Sequence, residues 1–330
     1  MKKLLLLISL VLVTASCTKK DEKTKVWIYT SLYKDTIADI QPKLATEFPT
    51  VDVQFYQAGS EEVAAKVQAE ALAGKIQADI LISSDRFWYE DLAAKGSLVN
   101  YKPAQTEKVA DFFKHPEGFY STLSFPVMVI AYNSEVVKDA DAPKTFKELA
   151  DPKWKDKVSA GSPLASGTNF TTVAFLSKKY GWDYFSAMRK NNLIAEGGNS
   201  GVVRRLQSKE RPVGIILMEN ILRLADSDKR IKFIIPEDGA VIQSNVLALV
   251  KKENSSEEVK KIADWMFSAE GQQAMARSFM YPAVAGEKPP AGAPEFAKLQ
   301  ATAQPWTREF IGETLKSREQ IKDQFSKIIF

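Results

Sequence analysis

The sequence predicts an α/β protein of two lobes with a cleft between them, and three observations carry that expectation. Short β-rich runs alternate with stretches of helical apolar spacing, joined by brief connections, which is the pattern of sheets flanked by helices. Segments rich in Gly, Ser and Asn open a helix at three separated places: Ala58 to Glu62, Ala165 to Phe170 and Glu196 to Leu206. The chain has 330 residues, 45% of them hydrophobic, and a single cysteine, so two cores of ordinary size must form without a disulfide.

Residues 1–16 carry two lysines, an apolar run from Leu4 to Val13 and small residues before Cys17. A basic start, a short apolar centre and small residues before a cut site describe a secretory leader. The run is too short to remain as a spanning anchor. Cys17 sits as in a bacterial lipobox, where the cysteine is lipidated and becomes the mature N-terminus, although Thr14 replaces the usual Leu. Residues 17–25 then read as a polar tether. No later stretch approaches membrane-spanning length. The formal net charge is +4, and loss of Lys2 and Lys3 with the leader lowers it further. So small a charge gives no argument for a nucleic-acid partner.

Val26 to Thr30 reads as a buried strand, Asp35 to Phe48 as a helix ended by Pro49, and Val51 to Tyr56 as a second strand. Ser60 is the expected cap of a helix whose first turn holds Glu61 and Glu62. Ala78 to Ile82 is a third strand, followed by a helix through Trp88 and Leu92. Strands linked in this way lie parallel, and ligands of such sheets sit beyond the carboxyl ends of the strands. Thr30, Ser31 and Tyr33, then Gly59 and Ser60, then Ser83, Ser84 and Asp85 stand at those ends. A lone Ser or Gly there more often serves a turn or cap than a ligand; three polar ends in consecutive units strengthen the binding reading.

Ser124 to Asn133 is an apolar strand, Val158 to Ala160 a short one, and Ser166, Gly167, Thr168 and Asn169 open a helix through Val173, Leu176 and Tyr180. Ile194-Ala195 leads to Gly198, Asn199 and Ser200, where Asn199 or Ser200 is the expected cap of the helix bearing Arg204 and Arg205. Val213 to Met218 is a buried strand ending at Glu219, and Ile231 to Ile235 precedes Pro236-Glu237-Asp238-Gly239. Val241 to Val250 returns the chain, Ser255 to Glu258 caps a helix through Ile262 and Met266, and helical spacing continues from Phe296 to Phe330.

K-V-W-I-Y-T-S, A-D-I-L-I-S-S-D, F-P-V-M-V-I-A-Y-N, D-P-K-W-K-D-K-V and I-P-E-D-G, spread from Lys25 to about Tyr281, together resemble the bacterial extracellular solute-binding proteins of ABC importers. The resemblance implies the periplasmic-binding type II fold, each lobe a mostly parallel sheet flanked by helices, with two hinge strands. It implies a first lobe of 26–128 and 240–330, a second of 129–239, and closure over a ligand. The branch resembled includes binders of ferric iron, phosphonates and sugar phosphates. It also makes Tyr281, in a loop near the cleft mouth, a candidate contact.

Iron binders of that branch carry adjacent tyrosines after the strand matching Val213 to Met218. Here that place reads Met218-Glu219-Asn220, and the only histidine, His115, lies in a loop expected to be solvated. Tyr33, Asp85 and Glu219 are a thin oxygen set for ferric iron, so no metal site is expected. Helix starts bind anions through free N–H groups and the positive end of the dipole. Arg204 or Arg205 can add a forked donor, though neighbours on a helix do not share a face. Glu219 can accept from sugar hydroxyls or an amine, or form a surface ion pair. Tyr29, Tyr33 and Trp88 are candidate walls, though aromatics there are more often core.

The expectation is a non-catalytic, monomeric receptor without a cofactor, lipid-anchored at Cys17 in the cell envelope, passing a small anionic solute to an inner-membrane ABC permease. Ferric iron is the alternative ligand. A secreted hydrolase is the competing class, against which stands the lack of a spaced nucleophile and base.

Overall fold

The computed structural model describes residues 23–330. The leader at 1–16 and Cys17 lie outside the described residues. The first lobe begins with β1 (Thr24–Thr30), α1 (Lys34–Glu47), β2 (Val51–Gln57), α2 (Ser60–Leu72), β3 (Ile80–Ser83) and α3 (Arg86–Ala94). β1 pairs in parallel with β2 on one side and β3 on the other, because α1 and α2 serve as crossovers. Ile37, Ile40 and Leu44 give α1 its buried face.

The chain then crosses on β4 (Ser121–Phe125) and β5 (Val127–Asn133), one expected strand broken at Pro126. Proline has no N–H for a ladder, and its carbonyl instead accepts from the Gln243 N–H at 2.7 Å. The second lobe follows with β6 (Val158–Ala160), α4 (Gly167–Tyr180), α5 (Trp182–Lys190), β7 (Ile194–Ala195), α6 (Asn199–Ser208), β8 (Val213–Leu217), α7 (Met218–Leu222) and β9 (Ile231–Ile234). The return crossing is likewise broken, into β10 (Val241–Ile242) and β11 (Asn245–Leu249), with Gln243-Ser244 between them. The last elements are α8 (Glu257–Phe267), α9 (Ala269–Arg277), β12 (Tyr281–Pro282), α10 (Phe296–Thr302), α11 (Arg308–Lys316) and α12 (Arg318–Ile329).

The first sheet has the order β12-β4-β11-β3-β1-β2 and the second β10-β5-β8-β6-β7, with β9 also on β5. Pairing is parallel within β2-β1-β3 and within β8-β6-β7, while every pairing of β4, β5, β10, β11 or β12 is antiparallel. The sheets are therefore mixed. The crossing strands run out and back, which sets them against their neighbours.

The C-terminal helices depart from the expected division, which puts all of 240–330 in the first lobe. α10 does pack there through Leu299. Phe310, Phe325 and Ile329 instead join the core of the second lobe. Phe310 stacks on Phe175 of α4 at 3.9 Å between ring centroids, and Phe325 meets Phe185 of α5 edge-on at 5.4 Å. The helical spacing of 310–330 defines an apolar face without naming its partner.

Candidate functional site

The lobes touch each other at the helix starts. Ser60 is the first residue of α2, and Gly59, not Ser60, occupies the cap position. The Ser60 hydroxyl accepts from the Gly167 N–H at the start of α4, at 2.7 Å. A Cβ placed on Gly59 would meet the Ala165 carbonyl at 3.4 Å, and one on Gly167 would stand 2.6 Å from Cβ of Asp85. The side chain that sequence spacing assigns to its own helix thus reaches the other lobe.

The start of α6 joins the start of α4 within the second lobe. Gly198 is the cap of α6, and neither Asn199 nor Ser200 bonds back to its own helix. Asn199 receives Asn169 Nδ2 at 3.4 Å and donates to Thr168 Oγ1 at 3.4 Å. Ser166 and Thr168 share a hydroxyl contact at 2.9 Å. Among the described residues the N–H groups of Thr168, Asn169, Asn199 and Ser200 have no protein acceptor. Four N–H groups at two adjoining helix starts form a concentrated donor surface.

The Gln243-Ser244 crossing and the strands beside it supply further polar atoms. Gln243 donates to the Thr168 carbonyl at 3.2 Å and to Thr172 Oγ1 at 3.1 Å. Gln243 Oε1, Ser244 Oγ, Ser83 Oγ and Thr122 Oγ1 are buried without partners. Sequence reading missed Gln243 and Ser244, although a Gln-Ser-Asn triplet interrupting an apolar strand was the available signal.

A second contact lies at the other flank. Tyr33 donates to Glu219 Oε1 at 3.3 Å and accepts from Asn220 Nδ2 at 3.1 Å. Arg223 stacks on Tyr33 with its guanidinium carbon 3.7 Å from the ring centroid, and its Nε lies 2.9 Å from Asp35 Oδ2. Glu219 is not a surface carboxylate. It is 1% exposed, its Oε2 has no partner, and burial pushes its pKa up to about 7. Burial likewise raises the Tyr33 phenol far above its ordinary value.

Asp85, fully buried, caps α3 through the Trp88 N–H at 3.2 Å and pairs with Arg318 of α12. Arg318 also holds Glu61 Oε1 at 3.1 Å, and Lys322 holds Glu61 Oε2 at 2.9 Å. Two carboxylates beside the α4 start are thus neutralised by the C-terminal helix, a contribution hidden from local sequence reading by the long separation.

Other candidates fall elsewhere. Thr30 is buried and its hydroxyl accepts from Leu32 N–H, while the Ser31 N–H serves the Ile82 carbonyl. Ser84 is buried and Ser200 is exposed. Arg204 is exposed on α6, and Arg205 turns to Glu196 at 3.4 Å. Tyr29 and Trp88 belong to a first-lobe core, with the Tyr29 phenol bonded to Glu70 at 2.8 Å, and Tyr281 donates to the Pro294 carbonyl at 2.6 Å. None of the three lines the contacts just described. His115 is mostly covered: its side chain is 12% exposed, between Phe119 and Tyr120, with Nε2 3.9 Å from Glu90.

Residues 75–305, more than half of the chain, match the family described as bacterial extracellular solute-binding protein. The probable ABC transporter periplasmic-binding protein y4fP of Sinorhizobium fredii is 24% identical over 238 residues, covering 69% of this chain and 66% of that one. Among solved structures, periplasmic binding protein AfuA of Actinobacillus pleuropneumoniae, with exogenous fructose-6-phosphate bound, superposes with a TM-score of 0.81 at 20% identity, covering 93% of this chain and 99% of that one. Iron-bound HitA of Pseudomonas aeruginosa gives 0.80 at 19% identity, covering 92% and 99%. Identities this low establish the fold they share and leave the ligand open.

Proposed function

The chain belongs to the bacterial extracellular solute-binding proteins, and on that premise we propose that it is the receptor of an ABC importer for a small organic phosphate, phosphonate or sugar phosphate. One observation carries the anionic preference. The start of α2 touches that of α4 across the lobes, the start of α6 adjoins that of α4, and four N–H groups there lack a protein acceptor. Such groups suit phosphoryl oxygens, each helix start contributing about 0.3–1 kcal/mol through its dipole beyond the hydrogen bonds themselves. Thr168, Asn169, Asn199 and Ser200 are the proposed phosphate contacts. Gly59, Ser60, Ser166, Gly167 and Gly198 shape the approach, and Glu219 with Tyr33 meets hydroxyls or an amine. A solute touching both lobes favours the closed arrangement by the difference in its affinity for the two. A bound phosphoryl group takes over the role of Ser60 or works beside it, while Arg318 and Lys322 keep Asp85 and Glu61 from repelling it. Export, and anchoring by a lipid on Cys17, complete the proposal: they hold the receptor beside its permease.

Ferric iron is the second reading, favoured by Tyr33 and Glu219 presenting adjacent oxygens at 3.3 Å in the cleft. Both are pushed by burial toward their protonated forms, which opposes ligation. Thermal shift of the mature chain with glucose 6-phosphate, aminoethylphosphonate, thiamine and ferric citrate tests the choice, since a ligand of the folded state raises its apparent stability. Stabilisation by a phosphorylated compound is expected. No such shift, with a charge-transfer colour on adding iron, would reverse the order.

A further inference from the structure

Outside the cleft, a cavity of about 1100 Å³ lies between the 101–121 segment of the first lobe and α11. The buried cation in its wall is under-paired. Arg86 opens α3 and is 5% exposed, with its guanidinium carbon 5.4 Å from the Phe112 ring centroid and 5.5 Å from that of Trp306. Its Nε–H donates to the Tyr120 hydroxyl at 3.0 Å. Among the described residues its two terminal nitrogens have no protein acceptor, and Nη1 is fully buried. The nearest carboxylate, Glu90, stands 4.0 Å from Nε and is occupied by the Tyr120 hydroxyl proton. A buried guanidinium left in this state is costly unless something else accepts from its fork.

Two features of the wall indicate that a guest completes it. Ser121, a residue of the cavity wall, has a fully buried hydroxyl without a partner. Gly312 sits in the middle of α11, where glycine weakens a helix by about 0.5–1 kcal/mol relative to alanine. No contact forbids a larger residue, since a Cβ there meets nothing within 4 Å, and Gly312 faces the cavity. The glycine keeps the space open.

The geometry points to a second binding site in this cavity for a small arylcarboxylate. The carboxylate accepts from Arg86 Nη2, the terminal nitrogen that is not fully buried, and the ring lies against Ile311 and Leu315. A monoanion matches one buried guanidinium. Glu107 and Asp111 stand in the wall with Lys102, Lys114 and Arg308, and Lys114 offsets Asp111 at 3.0 Å. None of the cleft contacts uses these side chains, so the site is independent of the transported solute.

Calorimetric titration of the mature chain with benzoate, 4-hydroxyphenylacetate and indole-3-acetate tests this, with benzyl alcohol as the uncharged control. At least one carboxylate is expected to bind saturably and benzyl alcohol at least tenfold more weakly. Arg86→Gln is expected to weaken binding at least tenfold. Gly312→Leu is expected to abolish it while Tm stays level or rises. Failure of all three carboxylates to bind, or unchanged binding in Gly312→Leu, would overturn the assignment. Unfolding of Gly312→Leu would also contradict it, because the helix then lacks the space inferred. If Arg86→Gln does not fold, Gly312→Leu decides alone.

Discussion

The hydroxyl of Ser60 accepts a hydrogen bond from the N–H of Gly167 at 2.7 Å, and this one contact joins helix starts from different lobes. It depends on glycine at 167, since any Cβ there would lie 2.6 Å from Cβ and 3.0 Å from Cα of Asp85. Gly167→Ala should therefore hold the lobes apart without unfolding either core. Small-angle scattering should show a larger radius of gyration for the variant, and equal radii would mean that the contact does not set closure.

Arg318 bridges Asp85 and Glu61 from a helix that packs with the opposite lobe. Removing one member of a largely buried ion cluster leaves the others uncompensated, at a cost of roughly 3–5 kcal/mol when burial is complete. Arg318→Gln should lower Tm by several degrees and favour the open arrangement. An unchanged Tm would show that water, not Arg318, balances these carboxylates.

Glu219 makes stability depend on pH. Its folded pKa is raised to about 7 from an ordinary 4.5 by burial, so the folded chain holds a proton that the unfolded chain releases earlier. Its effect is absent below about pH 4.5, grows as pH rises toward 7 and is constant above, destabilising by about 3 kcal/mol at most. Glu219→Gln should thus raise Tm at pH 8 and leave it nearly level at pH 4.5. Parallel Tm profiles for the two proteins would remove Glu219 as the titrating group.

Asn199 joins the starts of α4 and α6 by two contacts at 3.4 Å. Asn199→Asp puts a negative charge among the proposed phosphate donors, where it favours the helix and disfavours an anionic guest. Phosphorylated solutes should bind at least tenfold more weakly, with Tm unchanged or higher. Equal affinity would separate α6 from the site.

Much of this architecture is legible in the sequence, for reasons that are local. Val26, Ile28 and the spacing of Ile37, Ile40 and Leu44 report which face each element buries, and a small-residue run before such a face marks a helix start. What local pattern does not carry is the identity of a distant partner. Ser60 looks like a cap and serves Gly167, 107 residues away. Arg318 looks like the solvated first turn of a terminal helix and neutralises Asp85. Glu219 reads from the sequence as either a ligand acceptor or a surface ion-pair partner, and it is buried with the Tyr33 hydroxyl against it. Pro126 breaks the first crossing strand, and only the pairing of its carbonyl with Gln243 reveals the hinge.

In the proposed receptor, backbone N–H groups at adjoining helix starts hold a phosphoryl group. Amide chemical-shift mapping of the mature chain during titration with glucose 6-phosphate and aminoethylphosphonate tests it most directly. The amides of Thr168, Asn169, Asn199 and Ser200 are expected to shift together and saturate at one ligand per chain. Resonances at these positions that stay still with both compounds, while ferric citrate perturbs Tyr33 and Glu219, would contradict it.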